Sequence, residues 1–332
     1  MSSQKRVLIL GSNSFAGATL VKHFLSAGHS VKGISRSAEK APTHLIYRDH
    51  PQIRNFTFLQ GDINFQIEEI IELLDSFKPQ IIADLSGQGM VAESWLNPEQ
   101  WFQTNVVSKI RIYEKLLSRS FIEKYIRFST PEVYGNTENS VNEKANYNPS
   151  TPYAVTHASV DLMLNAYANR YDFPSIIGRF ANYYGPGQQL YRIIPKTILS
   201  ILKDTKLPLQ GGGRSERVFI QSADICTATQ SMIDHGIAGE TYNFSSGEVV
   251  TIRDLVSRIA NLMNVTLDSI VEEAPERPSK DFRYLMNSEK AKLDLGWAPA
   301  IDLDSGLIET VSWFQNNLSL LSRLPLDYEH KP

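Results

Sequence analysis

The order of short apolar runs and helical segments in the first half of the chain most constrains its fold. Runs typical of buried strands cover Arg6 to Leu10, Val31 to Ser35, Phe56 to Gln60, residues 80–85 (QIIADL) and residues 124–129 (KYIRFS). Segments with helical periodicity lie between them, including Phe15 to Ala27, Ile67 to Phe77 and a long one from about Pro98 to Leu117. Strands separated by helices predict βαβ units, which build an α/β fold with a doubly wound parallel sheet.

The pattern changes after about Arg179. Residues 183–191 (YYGPGQQLY) predict a loop, and residues 206–219 (KLPLQGGGRSERVF) are rich in turn formers. Helices are predicted from Ile193 to Lys203, Thr251 to Met263 and Asp304 to Asn316, among short strands. We therefore predict one domain over residues 1–180 and a smaller mixed α/β domain over residues 181–332, with some crossing of the chain between them.

Composition excludes several classes of function. The chain has 332 residues, a net charge of −3 and no basic block, so we expect no nucleic-acid partner. No stretch approaches the ~18 apolar residues of a membrane span, and the apolar run before Gly11 is too short for a signal peptide. Cys226 is the only cysteine, which excludes an intrachain disulfide and fits a cytoplasmic protein. The seven histidines lack metal-ligand spacing, so no metal site is predicted.

A glycine loop, GSNSFAG from Gly11 to Gly17, follows the first strand and opens the first helix. A tight turn at a helix N-terminus can hold a pyrophosphate, so the loop predicts a Rossmann-type dinucleotide site. Ser14 stands where a middle glycine is commoner and still lets the backbone approach closely. The second strand ends in residues 35–37 (SRS), without the acid that binds the ribose of NAD. Either Arg36 is a solvated loop charge or it holds a 2′-phosphate through two hydrogen bonds, and we predict NADP in preference to NAD.

Tyr153 and His157 are one helical turn apart and lie on the same face of a predicted helix. An enzyme that holds a tyrosinate against a substrate hydroxyl usually has a lysine at the second position. The pair therefore indicates an altered active site, with a helix residue of no catalytic role as the alternative.

Further motifs follow in a specific order. They are QGDI at 60–63, STPEVYG at 129–135, STPYAVTH at 150–157, ANYYGPGQ at 181–188, GGGRSERVFI at 211–220, ERPSKDFRY at 276–284 and LGWAPAIDLDSGLIETVSWFQNN at 295–317. With the glycine loop, they make the chain resemble the extended short-chain dehydrogenases/reductases that act on nucleotide sugars, above all the nucleoside-diphosphate-hexose 4,6-dehydratases. The resemblance covers nearly the whole chain. It implies a nicotinamide cofactor, a nucleoside-diphosphate hexose as substrate, and a homodimer joined by helices near 98–117 and 153–170.

The resemblance also implies a reaction and its catalytic residues. The sugar is oxidised at C4, water is eliminated across C5 and C6, and hydride returns to C6, which gives a 4-keto-6-deoxy sugar nucleotide. Tyr153 resembles the base for the C4 hydroxyl, Thr130 the residue that hydrogen-bonds the C4 oxygen, and Glu132 the base at C5. In the glucose-type enzymes an aspartate protonates the leaving hydroxyl at the position of Pro131, which cannot transfer a proton. Either Glu132 makes both transfers or a water assists.

His157 stands where the family has a lysine. It can donate a hydrogen bond to the nicotinamide ribose, but its reference pKa near ~6.5 makes it a poor permanent cation at neutral pH. A free tyrosine has a pKa near ~10, so Tyr153 needs a positive field. We expect part of this field from the oxidised nicotinamide ring.

The remaining assignments also follow the family positions. Predicted cofactor contacts are Gly11, Ser14, Phe15, Gly17, Ser35, Arg36, Asp62, Ile63, Leu85, Ser86, Tyr153 and His157. Predicted substrate contacts are Gln88, Asn182, Arg192, Arg217 and Arg277. Two alternatives remain: an epimerase or 4-ketosugar reductase on the same scaffold, and a non-catalytic nucleotide-sugar binding protein, which Pro131 and His157 motivate.

Overall fold

The computed structural model describes residues 4–40, 42–276 and 281–331. A seven-stranded sheet forms its centre. The strands are β1 (Arg6–Leu10), β2 (Ser30–Ser35), β3 (Phe56–Gln60), β4 (Ile81–Asp84), β5 (Lys124–Ser129), β6 (Ser175–Phe180) and, after three strands outside this sheet, β10 (Thr241–Phe244). They are ordered β10-β6-β5-β4-β1-β2-β3, and every neighbouring pair is parallel. The predicted doubly wound α/β fold is confirmed.

Helices cover both faces of this sheet. Its central strands are therefore buried along their whole length. The helices are α1 (Phe15–Ser26), α2 (Ile67–Phe77), α3 (Val91–Leu96), α4 (Pro98–Phe102), α5 (Ser108–Leu116), α6 (Pro152–Tyr171), α7 (Ile193–Leu202), α8 (Ser222–His235), α9 (Ile252–Leu262), α10 (Leu267–Ile270), α11 (Glu289–Leu295), α12 (Leu303–Asn316) and α13 (Leu318–Leu321). Short 3₁₀ turns cover Pro42–His44, Ile53–Asn55, Pro131–Tyr134 and Gly211–Gly213.

The predicted long helix near residues 98–117 exists in three parts. A π-helical segment, Gln103–Val107, joins α4 to α5. Asn105 lies in this segment with its side chain directed inward. Its Oδ1 accepts a hydrogen bond from the Gln88 amide, and its Nδ2 donates one to the Gln88 carbonyl. π-helical turns are rare and occur often at functional sites, which is consistent with this contact.

The rest of the chain forms two smaller sheets beside the large one. Strand β9 (Glu216–Gln221) pairs with β7 (Asn182–Tyr184) and β11 (Val249–Thr251), and β8 (Leu207–Gln210) pairs with β12 (Val271–Ala274). The start of the predicted loop at 183–191 therefore belongs to a strand. Strand β10 comes from the second half of the chain but belongs to the large sheet, so the chain returns from the predicted second domain to the first. The domain boundary at residue 180 itself stays a prediction.

The strand order reverses at β1, which pairs with β2 on one side and β4 on the other. Crevices outside the carboxyl ends of strands at such a reversal are the usual ligand sites of open α/β sheets. Across the described residues, no helix combines the length and apolarity needed to cross a bilayer.

Candidate active site

The glycine loop between β1 and α1 leaves no room for side chains. Gly11 has a φ of 90°, and a Cβ there would lie 2.9 Å from the Leu85 carbonyl carbon. A Cβ on Gly17 would collide with the Gly11 carbonyl oxygen. Ser14 caps α1, accepting a hydrogen bond at Oγ from the Gly17 amide at 3.0 Å. A closely packed backbone at a helix N-terminus fits the pyrophosphate of a dinucleotide.

The loop is braced against the end of β2. The Asn13 amide donates to Ser35 Oγ at 2.9 Å, and its side chain donates to the carbonyls of Ser37 and Ala38. Asn13 Oδ1 is buried and has no partner among the described residues. Ser35 therefore shapes the predicted adenosine side of the site through Asn13.

Arg36 and Gln88 meet at a third segment that was not predicted from the sequence. Arg36 Nη2 and Gln88 Nε2 both donate to the backbone carbonyl of Lys331, at 3.1 and 2.8 Å. Lys331 Nζ donates to Ser37 Oγ at 3.2 Å. We call residues 325–331 the C-terminal strap; its last residue, Lys331, bonds side chains that follow β2 and β4.

The other predicted cofactor residues lie along the same edge. Asp62 follows β3, and its Oδ1 accepts from the Asn64 amide at 2.8 Å. Ile63 and Phe15 are buried, with Phe15 packed 6.0 Å from the Tyr183 ring. Leu85 and Ser86 follow β4; the Ser86 amide and hydroxyl donate to Asp84 Oδ1 at 3.1 and 2.7 Å. These placements agree with the predicted roles, and the roles themselves stay predictions.

The predicted catalytic side chains converge between α6 and the turn after β5. Tyr153, at the start of α6, is hydrogen-bonded to Thr130. Burial and the nearby Glu132 carboxylate raise the pKa of Tyr153, while the Thr130 bond and Arg192 act against this. Glu132 follows Pro131 in the 3₁₀ turn, where Thr130 caps the chain. A hydroxyl base and a carboxylate therefore face one space.

Tyr284 supports Glu132 and was not predicted as a site residue. Its hydroxyl donates to Asn182 Oδ1 at 3.3 Å and lies close to the Glu132 carboxylate. Burial raises the pKa of Glu132, whereas Arg217 and the Tyr284 bond lower it. A carboxyl group with a raised pKa can both accept and return a proton near neutral pH.

His157 contacts a buried cation. Arg127, 2 % exposed on β5, places Nη2 3.2 Å from His157 Nδ1. Burial lowers the pKa of His157 well below its usual value, and Arg127 and Lys109 lower it further. The sequence did hold a signal, since Arg127 interrupts an otherwise buried strand. Arg127 places a permanent positive charge beside His157.

The predicted substrate residues surround this space unevenly. Asn182 Nδ2 is buried and has no partner among the described residues. Arg192 is exposed beside Tyr191, at 5.3 Å from its ring. Arg217 donates to the backbone carbonyls of Glu216, Asp281 and Phe282 and covers the Tyr284 ring. Its charge lowers the pKa of Glu132, so Arg217 acts on the catalytic space although its donors are used by backbone carbonyls. Arg277 lies outside the described residues.

The fold and the site define a class, the extended short-chain dehydrogenases/reductases of nucleotide sugars. The profile of a family described as GDP-mannose 4,6 dehydratase matches residues 8–310, and the chain belongs to this family.

Individual relatives agree with the family. The chain is 27% identical to a dTDP-glucose 4,6-dehydratase of Streptomyces niveus over 94% of its own length and 93% of the relative. Its structure resembles a Bacillus anthracis dTDP-glucose 4,6-dehydratase in complex with NAD, with 27% identity, a TM-score of 0.86 and coverage of 95% and 98%. It also resembles a UDP-N-acetylglucosamine 4-epimerase of Methanobrevibacter ruminantium, with 25% identity, a TM-score of 0.85 and coverage of 95% and 99%.

Proposed function

We propose that the protein is a nucleoside-diphosphate-hexose 4,6-dehydratase that forms a 4-keto-6-deoxy sugar nucleotide. The observation that carries the proposal is the pairing of Tyr153, hydrogen-bonded to Thr130, with the adjacent carboxylate of Glu132. Two bases are needed for oxidation at C4 followed by elimination across C5 and C6, whereas an epimerase or a reductase needs no carboxylate at C5.

Tyr153 removes the proton of the C4 hydroxyl. Thr130 holds the C4 oxygen and, through its bond to the phenol, stabilises the tyrosinate that forms when the site loses a proton. Burial opposes this ionisation, so the positive charge of Arg192 matters to the step. The bound nicotinamide supplies the acceptance and return of hydride.

Glu132 removes the C5 proton once the C4 ketone has made it acidic. Pro131 cannot protonate the hydroxyl that leaves C6. Because burial raises the pKa of Glu132, the protonated carboxyl formed at C5 is a competent acid for the leaving group. One residue thus serves both transfers.

The second domain, residues 181–332, supplies the sugar-nucleotide side of this proposal. Asn182 and Arg192 border the catalytic space. For the cofactor we propose NADP in preference to NAD, because Arg36 follows β2 and no acid does. Fluorescence titrations with both cofactors test this, and tighter binding of NAD overturns it.

We also propose a homodimer in which α4–α5 and α6 of two subunits pack together. Exposed apolar side chains on these helices, such as Phe102, Val107 and Leu162, support it. Sedimentation measures the mass directly, and a monomer at micromolar concentration contradicts the proposal.

The function is tested by incubation with GDP-, dTDP-, CDP- and UDP-hexoses in deuterated water. We expect a product lighter by one water, carrying deuterium at C5, with no net use of cofactor. Inversion of a centre without loss of water favours the epimerase, and stoichiometric use of NADPH favours the reductase. Binding without turnover across the panel favours a non-catalytic binding protein.

A further inference from the structure

Arg127 is a buried charge in the middle of strand β5. Its side chain is 2 % exposed, and its Nη2 atom lies 3.2 Å from Nδ1 of His157. Burying a guanidinium is costly unless it is well paired. The contact with the imidazole is the hydrogen bond that the structure gives this side chain, so the two residues have to be considered together.

The direction of this hydrogen bond fixes the protonation of His157. A guanidinium can only donate, and it does not lose its proton in proteins. Nδ1 must therefore present a lone pair. Since burial, Arg127 and Lys109 all lower the pKa of His157, with only Asp84 opposing them, the ring is neutral. A neutral imidazole with a bare Nδ1 carries its proton on Nε2.

The charged groups near Arg127 are hydrogen-bonded to other residues, which leaves Arg127 available to donate to His157. Lys109 Nζ is bonded to Asp84 and Ser86, and the Asp84 carboxylate also accepts from the Tyr125 hydroxyl. Asp84 is thus committed to Lys109, and the other carboxylate near Arg127, Asp161, bonds Arg179 and Ser129. Arg127 Nε has no partner among the described residues. Within the part of the chain that the structure describes, Arg127 therefore has no ion-pair partner of its own, and its charge lies beside the imidazole.

We propose, on the basis of the proposed function, that Arg127 is a positioning residue that fixes His157 as an Nε2–H donor for the ribose of the nicotinamide cofactor. Two residues then share the tasks of the lysine found elsewhere in the family. His157 donates the hydrogen bond, and Arg127 carries the permanent charge. Within residues 4–40, 42–276 and 281–331, no protein group bonds Nε2, which leaves that atom available.

The arrangement makes the donor independent of pH in the physiological range. The groups that face the imidazole are Arg127 from β5, Lys109 from α5, Asp84 from β4 and Tyr153 from its own helix, whose ring lies 4.5 Å away. Because burial and Lys109 also lower the pKa of His157, its ionisation does not test the role of Arg127. The tautomer does test this role, because a hydrogen-bond donor that faces Nδ1 favours the Nε2–H tautomer over the Nδ1–H tautomer.

The test is long-range proton–nitrogen NMR of the ¹⁵N-labelled full chain, without cofactor or sugar, with His157→Gln to assign the ring. We expect the parent to show one Nε2–H tautomer at neutral pH. Arg127→Met should show both tautomers, and Arg127→Lys, which also only donates, should restore one. An Nδ1–H form or a mixture in the parent overturns the proposal, even if Arg127→Met fails to fold. A single Nε2–H form in a folded Arg127→Met also overturns it.

Cofactor binding gives a second readout. Arg127→Met should weaken binding of NADP or NAD about tenfold, the value of one net hydrogen bond, and Arg127→Lys should recover most of it. Arg119→Met is the matched control, since Arg119 pairs with Asp75 on the surface. Unchanged affinity in folded Arg127→Met overturns the proposal. Neither readout uses the sugar reaction, so both remain informative if the dehydratase assignment fails.

Discussion

Arg36 Nη2 donates a hydrogen bond to the backbone carbonyl of Lys331 at 3.1 Å, although 295 residues separate them in the sequence. Gln88 donates to the same oxygen at 2.8 Å. The strap is held there by His330, which stacks on Trp101 with ring centroids 5.3 Å apart and 12° between the planes. The strap therefore occupies donors assigned to the cofactor and the sugar nucleotide.

Removal of residues 327–332 should tighten binding of the nicotinamide cofactor. A dinucleotide that uses Arg36 has to displace the carbonyl of Lys331 first, and each net hydrogen bond is worth about 1 kcal/mol. We expect the dissociation constant to fall by about tenfold in a fluorescence titration.

Two point variants separate the strap's backbone from its side chains. Lys331→Ala keeps the carbonyl and should leave the affinity close to that of the parent. His330→Ala loses the stacking on Trp101 and should shift the affinity in the same direction as the truncation. Weaker cofactor binding after truncation would mean that the strap belongs to the binding site and does not compete with it.

Lys109→Met should destabilise the fold strongly. Lys109 and Asp84 are both buried, and they form an ion pair behind the active site. Burial raises the pKa of Asp84, but Lys109 and Arg127 outweigh this and bring it to about 2. Removing the lysine leaves a buried carboxylate without its main partner, which costs about 3–5 kcal/mol in free energy of unfolding.

Urea unfolding followed by circular dichroism measures this loss. The double variant Asp84→Asn/Lys109→Met should recover much of the stability, because the carboxylate that Lys109 neutralises is removed together with it. Lys115→Met is a matched control, since Lys115 pairs with Glu68 at the surface, where such pairs contribute less than about 1 kcal/mol. A loss for Lys109→Met as small as that of the control contradicts the prediction.

The first half of the fold was predictable because its elements have strong local patterns. Strands β1, β3 and β5 and helix α2 occupy the predicted ranges. The second half was less predictable. Strand β7 has three residues and exists through its pairing with β9, so no local period marks it.

The site was predictable where it follows motifs and not where it depends on distant contacts. Tyr153, Thr130 and Glu132 lie together as the resemblance implies. Tyr284 and Lys331 reach the site from far along the chain. Tyr284 ends the motif at 276–284, but the sequence alone did not assign it a role, and nothing in the local sequence marks Lys331. Arg127 could have been suspected, because a charge inside a buried strand is rarely tolerated without a specific partner.

Tyr284→Phe should shift the acid limb of the kcat/KM profile to higher pH. The Tyr284 hydroxyl lowers the pKa of Glu132, so its removal raises that pKa further. Glu132 acts as a base only when ionised, and activity therefore falls as pH drops through its pKa. A higher pKa moves this midpoint upward. Initial rates across pH measure it, and an unmoved midpoint shows that Glu132 does not set the acid limb.

Glu132→Gln should abolish elimination and leave binding intact. The variant keeps the shape of the side chain, and the lost charge lies on the Tyr284 side of the site. Tyr153 and Thr130 remain, so oxidation at C4 should continue. Formation of the dehydrated product should fall by at least ~100 to 10,000-fold, the contribution of a general acid–base group.

The assay for Glu132→Gln follows the absorbance of the reduced nicotinamide and the mass of the product. Reduced cofactor and an intact 4-keto sugar should accumulate in the variant and not in the parent. Glu138→Gln changes an exposed carboxylate six residues further on and should match the parent. If Glu132→Gln still releases water at the parent's rate, another group removes the C5 proton, and the single-residue transfer proposed for Glu132 is wrong. If neither protein releases water but the parent inverts a sugar centre, the same carboxylate has only an electrostatic role in an epimerase.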